Sequence, residues 1–277
     1  MFSTAPFSGL VEFGAGFSTR RGISHAVFDF DGTLSWLRHG WPDIMYRLFR
    51  EQLPGGPGES EEALHDRLLS DILSLNGKPP IHQMQLGAAR ISAMGGPRLD
   101  PETLLVEYQR RLDSVIRDRT QMLLRGEAER DEFIIHGVRP FLERLRERGL
   151  RLIILSGSAE HRVKEEAALL DLAGYFGPHI YGSTADLAQS SKRAVLDRLL
   201  RQEEIMGEHL LCLGDGPVEI RLAKELGGLA VALASDEDHN GSGRVYPHKA
   251  PQLREAGADV LIPDYRDGEA LLECLLG

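Results

Sequence analysis

The second half of the chain alternates short apolar segments with longer amphipathic ones, and this alternation restricts the fold more than any other feature. Short apolar strands joined by amphipathic helices predict right-handed crossovers and a parallel sheet that is covered on both faces. The predicted strands are 151–155, a short segment near "HIYG", 210–214, 229–234 and 258–262. The predicted helices are 139–148, 159–171, 191–204, 217–226 and one at the carboxyl end. The predicted fold class is therefore α/β, with a doubly wound (Rossmann-like) parallel sheet.

One further apolar strand, 25–30, lies far ahead of this region, and the residues between the two are helical in character without convincing strands. The clearest helix there has Asp100 as its cap, Pro101 at its first position and Gly126 at its end. We therefore predict that an all-helical domain is inserted into the α/β domain. The predicted divisions are an irregular N-terminal arm (1–22), a core domain (23–35 and 136–277) and the inserted helical domain (36–135).

Composition and charge exclude several classes of partner. The chain carries 32 Lys and Arg against 42 Asp and Glu, a formal net charge of −10, which disfavours nucleic-acid binding because such proteins normally carry a basic stripe. No run of about 18 apolar residues is present, so no membrane span is predicted. Cys212 and Cys274 form no C-x-x-C pair and residues 1–22 do not resemble a signal peptide, so a cytoplasmic location is expected. The sequence leaves the oligomeric state open.

Polar residues follow the predicted strands at the ends where a doubly wound sheet binds its ligands. Asp29 and Asp31 end the first strand, one residue apart, and this spacing places both side chains on the same side of an extended chain. Ser156 and Gly157 follow strand 151–155, and Asp215 follows strand 210–214. Two more residues join this edge from helices, Lys192 near the start of one helix and Glu219 in the first turn of another. Two carboxylates that close repel each other, which indicates either a solvated loop or a strongly positive partner between them.

Four segments in this order, "DFDGTLS", "ILSGS", "SSKRAV" and "GDGPVE", resemble the four motifs of the haloacid dehalogenase-like superfamily of phosphohydrolases. The resemblance covers roughly residues 25–34 and 136–234, and the helical insertion after the first motif resembles the cap domain of that superfamily. The resemblance implies that Asp29 is the nucleophile that forms an aspartyl-phosphate. It implies that Asp31 is the general acid for the leaving group and then the base for the hydrolytic water.

The resemblance also implies a Mg²⁺ site and a phosphate site. Asp29, the backbone carbonyl of Asp31, and Asp215 would hold the metal, and Glu219 would support its water shell. Ser156, the Gly157 amide and Lys192 would hold the phosphoryl oxygens. Independently of the family, a carboxylate can attack phosphorus only when the negative charge on both partners is screened, which a hard divalent cation with oxygen ligands does.

The predicted function is that of a Mg²⁺-dependent phosphatase acting on a small phosphorylated metabolite, with a sugar or polyol phosphate as the expected substrate. The motifs do not separate a phosphatase from a phosphomutase on the same core. A phosphonatase would need a lysine in the inserted domain, where Lys78 is the only one. A ligand-binding module without turnover is the alternative from another class.

The segment "WLRHGWP", directly after the first motif, offers further candidates. Arg38, His39 and Trp41 could grip the non-reacting part of a substrate, or they could serve only as hinge packing and surface charge. The segment "GKPPIHQM" offers Lys78, His82 and Gln83, for which a solvated helix start is the favoured interpretation. The segment "DEDHNG" (236–241) matches only half of a calcium loop and is expected to be a solvated loop.

Overall fold

The computed structural model describes residues 7–54 and 60–277, so residues 1–6 of the predicted arm and 55–59 of the predicted insertion lie outside the described residues. These residues form a seven-stranded sheet with helices on both faces. The strands are β1 (Glu12–Phe13), β2 (His25–Phe28), β3 (Arg151–Ala159), β4 (Ile180–Ser183), β5 (Leu210–Gly214), β6 (Leu229–Leu233) and β7 (Val260–Ile262). Their order is β1-β7-β6-β5-β2-β3-β4, and every neighbouring pair is parallel except β1 with β7. The predicted α/β fold class is confirmed.

Twelve α-helices are present among the described residues. The first four lie between β2 and β3: α1 (Trp41–Arg50), α2 (Glu61–Ser74), α3 (Ile81–Ala93) and α4 (Pro101–Arg125). The others are α5 (Val138–Glu147), α6 (Glu160–Leu169), α7 (Ala173–Phe176), α8 (Leu187–Ser190), α9 (Lys192–Gln202), α10 (Pro217–Glu225), α11 (Ala250–Glu255) and α12 (Gly268–Leu276). Two short 3₁₀ turns lie at Arg130–Phe133 and Gly207–His209. Within the described ranges, no helix combines the length and the apolarity that crossing a membrane requires.

Alternate residues of the central strand β2 belong to two separate hydrophobic clusters, one on each face of the sheet. Ala26 and Phe28 of β2 belong to the cluster on one face of the sheet, where Phe28 meets Phe141 of α5 edge-on at 6.4 Å between ring centroids. Val27 belongs to the cluster on the other face, together with Leu196 of α9. This is the period-two pattern of a strand buried on both sides. The strand that leads to Asp29 is therefore buried on both faces of the sheet.

Helices α1 to α4 share a third hydrophobic cluster of their own, which includes Phe49, Leu68, Met84 and Tyr108. The longest helix, α4, has the predicted ends. The Asp100 side chain accepts a hydrogen bond from the Thr103 backbone N–H at 3.0 Å, and Gly126 closes the helix. This packing supports the proposal of a separate inserted domain.

Two local differences from the sequence prediction are clear. The N-terminal arm is not wholly irregular, because Glu12 and Phe13 pair antiparallel with β7 at the sheet edge. Strand β3 runs on through Ser156 and Gly157 to Ala159, with a shift of register against β4 between Leu155 and Ala159. The irregularity explains why the apolar pattern stops at Leu155 although the extended backbone does not.

Candidate active site

Strand order reverses between β2 and β5, and the candidate site lies at the carboxyl ends of these two adjacent strands. Strands β2, β3 and β4 run to one side and β5, β6 and β7 to the other, so the neighbours β2 and β5 form the switch point where doubly wound sheets bind ligands. Asp29 directly follows β2 and Asp215 directly follows β5. Between them Gly32 has φ +72°, and a Cβ at this position would lie 2.2 Å from Asp215 Oδ2. Only glycine permits this close approach.

Lys192, the first residue of α9, lies between two acids of the site. Its Nζ donates to Asp29 Oδ1 at 2.7 Å and also contacts Glu219 Oε1 in the first turn of α10. All three side chains are less than 10% exposed. Burial raises the pKa of Asp29 well above its usual value; Lys192 opposes this shift, and Glu219 and Asp215 reinforce it. Burial alone would lower the pKa of Lys192, but Asp29 and Glu219 raise it.

A second buried lysine, Lys249, stands beside Asp215, and sequence reasoning missed it. Its Nζ donates to Asp215 Oδ2 at 2.8 Å and to Ser235 Oγ at 3.2 Å, and it also pairs with Glu237. Ser235 Oγ in turn donates to the Gly32 carbonyl at 2.9 Å. The interpretation of 236–241 as a merely solvated loop is therefore wrong at Glu237, which is buried. A single acid in a polar segment gives no periodic signal that would have revealed this contact.

Asp31 belongs to a third polar group, together with Arg38 and Glu166. Arg38 Nε lies 3.0 Å from Asp31 Oδ1 as an ion pair, and the guanidinium also donates to both oxygens of Glu166, at 3.2 and 2.5 Å. On its other oxygen, Asp31 accepts a hydrogen bond from Ser158 Oγ at 2.9 Å. Burial raises the pKa of Glu166 to about 7, against the opposing charge of Arg38. Glu166 carried no signal in the sequence beyond a place on helix α6.

A cavity of about 360 Å³ opens between this edge of the sheet and the inserted helices. Its floor holds the expected phosphate-site residues Ser156, Gly157 and Lys192, together with Asp29 and Asp31. Ser156 is buried, and its Oγ accepts a hydrogen bond from the Ser158 backbone N–H at 3.1 Å. The structure thus brings the residues of the first three motifs to one cavity, with Asp215 and Glu219 of the fourth motif beside it.

The inserted helices cover this cavity through the turn between α2 and α3. The Asn76 side chain donates to the Asp215 carbonyl at 3.2 Å. Gly77 has φ +87°, and a Cβ there would lie 2.5 Å from Glu219 Oε1, so the turn lies directly against the acid. Further out, Arg162 of α6 pairs with Asp113 of α4 at 2.6 Å, and both side chains line the cavity.

The residues of the "WLRHGWP" segment have three different surroundings. Arg38 lines the cavity, but its guanidinium is engaged by Asp31 and Glu166. Trp41, the first residue of α1, also lines the cavity. His39 is not among the lining residues: it stacks on Trp36 with ring centroids 3.6 Å apart and contacts Arg119.

The candidates of the "GKPPIHQM" segment are also dispersed. Lys78 lines the cavity and is exposed. Gln83 lines it and is buried, so the interpretation as a solvated helix start is wrong for this residue, which lies on the inward face of α3. His82 is exposed and does not line it. Lys164 also lies early in a helix that follows a strand, which makes it an alternative to Lys192 for the phosphate site, but it pairs with Glu160 on its own helix at 2.6 Å and does not line the cavity.

The charge balance of the buried residues tests whether a divalent cation fits the site. Four buried carboxylates share the site with only two buried ammonium groups, which leaves two negative charges uncompensated when all are ionised. The carboxylates are those of Asp29, Asp215, Glu219 and Glu237, and the ammonium groups are those of Lys192 and Lys249. Glu219 Oε2 is buried without a hydrogen-bond partner. Oxygen donors with this charge excess suit Mg²⁺.

The described residues do not contain a preformed metal centre of three or more acidic, histidine or cysteine side chains. Each lysine instead bridges two carboxylates, Lys192 between Asp29 and Glu219, and Lys249 between Asp215 and Glu237. The site therefore has the donor chemistry and the charge for a divalent cation. Asp29, Asp215 and Glu219 are the residues that could hold it.

Comparison with solved structures shows the same fold in several proteins of low sequence identity. A conserved haloacid dehalogenase-like protein of Agrobacterium tumefaciens has 22% identity and a TM-score of 0.63, covering 91% of this chain and 98% of its own. A predicted phosphatase of Clostridium acetobutylicum has 19% identity and a TM-score of 0.57, covering 91% and 99%. A HAD family hydrolase of Deinococcus radiodurans, with bound phosphate and sodium, has 16% identity and a TM-score of 0.58, covering 91% and 96%.

Family membership rests on the sequence itself. No curated protein matches the chain. The model of the haloacid dehalogenase-like hydrolases matches residues 23–227, which is more than half of the chain and includes all four motifs. The matched region begins just before β2 and ends just after α10, so it contains every acid and lysine around Asp29 except Glu237 and Lys249. The chain belongs to the family of haloacid dehalogenase-like hydrolases.

Proposed function

We propose that this protein is a Mg²⁺-dependent phosphatase that hydrolyses a small phosphate monoester through an aspartyl-phosphate on Asp29. The observation that carries the proposal is the meeting of Asp29 and Asp215 at adjacent strand ends, with Lys192 bridging Asp29 and Glu219. Phosphoryl transfer depends chiefly on positioning and charge stabilisation, and a lysine, a hydroxyl and backbone amides around a carboxylate supply both. Family membership and the phosphatases among the structural neighbours support the same reaction class.

The reaction divides into two steps at one carboxylate. The Asp29 carboxylate attacks phosphorus while the bond to the leaving-group oxygen breaks, and Asp31 gives its proton to that oxygen. Asp31 then takes a proton from water, which attacks the phosphorus of the aspartyl-phosphate and restores Asp29. Ser156, the Gly157 amide and Lys192 hold the phosphoryl oxygens throughout. A magnesium ion held by Asp29, Asp215 and the Asp31 carbonyl, with support from Glu219, would screen the charge between carboxylate and phosphate.

We propose that residues 36–135 act as a cap that encloses the leaving group, with 23–35 and 136–277 as the catalytic core. The small cavity and its cover by the α2–α3 turn favour a small molecule over a polymer. Trp41 and Tyr108 offer flat apolar surfaces, and Gln109 and Asp113 offer polar groups, to the same cavity. This mixture suits a sugar or polyol phosphate, which presents both ring faces and hydroxyls.

The test is phosphate release from a panel of phosphorylated sugars, polyols, nucleotides and small acids, with Mg²⁺ and with chelator. We expect turnover that chelation abolishes and added Mg²⁺ restores. Asp29→Asn should lower kcat by about 10³-fold or more because it removes the nucleophile. Acid quenching during turnover should trap phosphate on Asp29, which mass spectrometry locates. Asp118→Asn, on an exposed position of α4, is the matched control and should leave kcat unchanged. Normal turnover by Asp29→Asn would overturn the proposal.

A phosphonatase on the same core is the second candidate, because Lys78, the only lysine of the inserted helical domain, lines the cavity. Such an enzyme would form an imine between Lys78 Nζ and a substrate carbonyl with loss of water. Lys78→Met separates the two functions: it should abolish cleavage of a carbonyl-bearing phosphonate but spare hydrolysis of phosphate monoesters. Borohydride trapping of a substrate adduct on Lys78 would favour this second candidate.

A further inference from the structure

We infer that Glu166 is a positioning residue for leaving-group protonation: it fixes the Arg38 guanidinium, which in turn holds the Asp31 carboxyl toward the cavity. This inference rests on the proposed function, because it assigns a role within the same reaction. The link joins the segment between β2 and α1, which contains both Asp31 and Arg38, to the middle of α6, 128 residues beyond Arg38.

Arg38 connects Glu166 and Asp31, and its contact with Glu166 is the stronger of the two. Two guanidinium nitrogens donate to the two oxygens of Glu166, at 3.2 and 2.5 Å, which is the bidentate arrangement that fixes the plane of an arginine. The same Nε lies 3.0 Å from Asp31 Oδ1. The side chains of Arg38 and Glu166 are 11% and 10% exposed, so little water competes for these contacts. Without Glu166 the guanidinium would lose the partner that sets its orientation.

The contacts of the two Asp31 oxygens show how far the position of this carboxyl depends on Arg38. Asp31 Oδ2 is hydrogen-bonded to the Ser158 hydroxyl at 2.9 Å, and a hydroxyl can both donate and accept. Asp31 Oδ1 is buried and has no directed hydrogen bond, so its place depends on the charge of Arg38. Both Asp31 and Arg38 line the cavity, whereas Glu166 does not. Glu166 therefore acts on the reaction only through Arg38, which is why it is a positioning residue and not a catalytic one.

The position of Asp31 matters for breaking the bond between phosphorus and the leaving-group oxygen. When the bond between phosphorus and the leaving oxygen breaks, a poor leaving group such as an alkoxide needs the Asp31 proton, whereas an acidic phenol does not. A displaced Asp31 should therefore slow the release of poor leaving groups selectively. A role of Glu166 in folding alone would lower all rates together.

The experiment measures kcat/KM for a series of aryl and alkyl phosphates whose leaving groups differ in acidity, because kcat/KM reports the steps up to leaving-group release. Glu166→Gln should lower kcat/KM for alkyl phosphates by about 10- to 100-fold, part of the effect of a general acid, and change that for p-nitrophenyl phosphate by less than about threefold. Glu165→Gln, the exposed neighbour on the same helix, is the matched control and should leave the series unchanged. An equal loss across the series, or no loss, would overturn the inference.

Two further variants keep the test decisive. If Glu166→Gln does not fold, Arg38→Lys should produce the same selective loss, because an ammonium group cannot bridge Asp31 and Glu166 in the same way. Combining Arg38→Lys with Glu166→Gln should cost no more than Arg38→Lys alone, since both act through one contact. Failure of the proposed function gives a different result, because Asp29→Asn would then retain turnover regardless of the effect of Glu166→Gln on the substrate series. Loss of turnover in Asp29→Asn with a uniform effect of Glu166→Gln would reject the positioning role alone.

Discussion

His39 illustrates how a partly buried ring can be fixed in one protonation state. Its Nδ1 lies 2.7 Å from the Trp36 carbonyl, which only accepts, so Nδ1 must carry the proton. Its Nε2 lies 2.8 Å from Arg119 Nη2, which only donates, so Nε2 must be unprotonated. Burial lowers the pKa of His39 to about 4, and Arg119 contributes in the same direction. The ring is therefore neutral at pH 7.

This state predicts how stability depends on pH. The pKa of His39 is lower in the folded chain than its usual value near 6.5, so the unfolded chain binds more protons between pH 6.5 and 4. The contribution of His39 to stability is therefore full above pH 6.5 and declines as the pH falls toward 4. His39→Phe keeps a ring over Trp36 but cannot titrate. We expect the melting temperature of this variant to fall less steeply than that of the wild type between pH 6.5 and 5.

The control for this prediction is His82→Gln, at an exposed position of α3, which should leave the pH slope of the melting temperature unchanged. A direct check is the ¹⁵N spectrum of the imidazoles at pH 5.5, which should show His39 neutral and protonated on Nδ1. Equal slopes for the wild type and His39→Phe would contradict the argument.

At the scale of residues, the sequence predicted the motif side chains but not their supporting partners. Asp29, Ser156 and Asp215 each directly follow an apolar run of residues, and the parallel sheet brings the ends of these runs together at one edge. Lys249 and Glu166 lie inside polar helical or loop segments. Lys249 contacts Asp215 across 34 residues of sequence, and Glu166 contacts Arg38 across 128. Such pairings depend on how helices dock, which single-sequence periodicity does not encode.

At the scale of elements, the local chemistry of capping predicted boundaries better than hydrophobicity predicted burial. Helix α4 begins and ends where Asp100 and Gly126 indicate. The helical spacing of Leu104, Leu112 and Met122 predicts one buried face. Leu104 and Leu112 are buried, but Met122 near the end of the helix is 39% exposed. The reason is that the other inserted helices pack against the first half of α4, which the period of the helix alone does not reveal. The edge strand β1 was missed because two residues are too few for a pattern.

Lys249 connects three elements, the end of β5, the segment after β6 and the start of α11, and its removal should be costly. Lys249→Met would leave Asp215 and Glu237 buried without a cation. Breaking a buried ion pair by removing one partner typically costs about 3–5 kcal/mol. We expect the free energy of unfolding, measured by urea denaturation, to fall by about that amount.

The matched control is Lys164→Met, because Lys164 pairs with Glu160 at 2.6 Å and the two side chains are 50% and 29% exposed. Its loss should cost less, about 1 kcal/mol, since water can solvate the exposed side of the pair. Adding Glu237→Gln to Lys249→Met should recover part of the stability, because it removes one of the two buried carboxylates that have lost their cation. An equal loss of unfolding free energy for the two lysine variants would contradict the argument that Lys249 stabilises the fold by neutralising two buried carboxylates.

At the scale of the whole molecule, the inserted helices contact the sheet through polar groups around the cavity and through apolar packing of Ile116 and Leu123 of α4. Besides the bond from Asn76 to the Asp215 carbonyl, Gln252 of α11 donates to the Ser70 carbonyl of α2 at 3.2 Å. The ion pair of Arg162 with Asp113 closes the same boundary on the side of α4. Polar contacts of this kind can break and re-form, which the proposed cap would require in order to admit substrate and release product.

The Arg162–Asp113 ion pair allows the contribution of one such contact to closure of the proposed cap to be measured. The two side chains are 44% and 34% exposed, so the pair is worth about 0–1 kcal/mol, which corresponds to at most about a fivefold shift in the closed population. Asp113→Asn should therefore raise KM by up to about fivefold with kcat nearly unchanged. Raising the salt from about 0.1 to 1 M should have a similar effect on the wild type and little on the variant. The charge-swapped double variant Asp113→Arg with Arg162→Asp should restore KM if the pair acts by holding the cap. Failure of the swap to restore KM, with both single variants impaired, would show instead that these side chains bind the substrate directly.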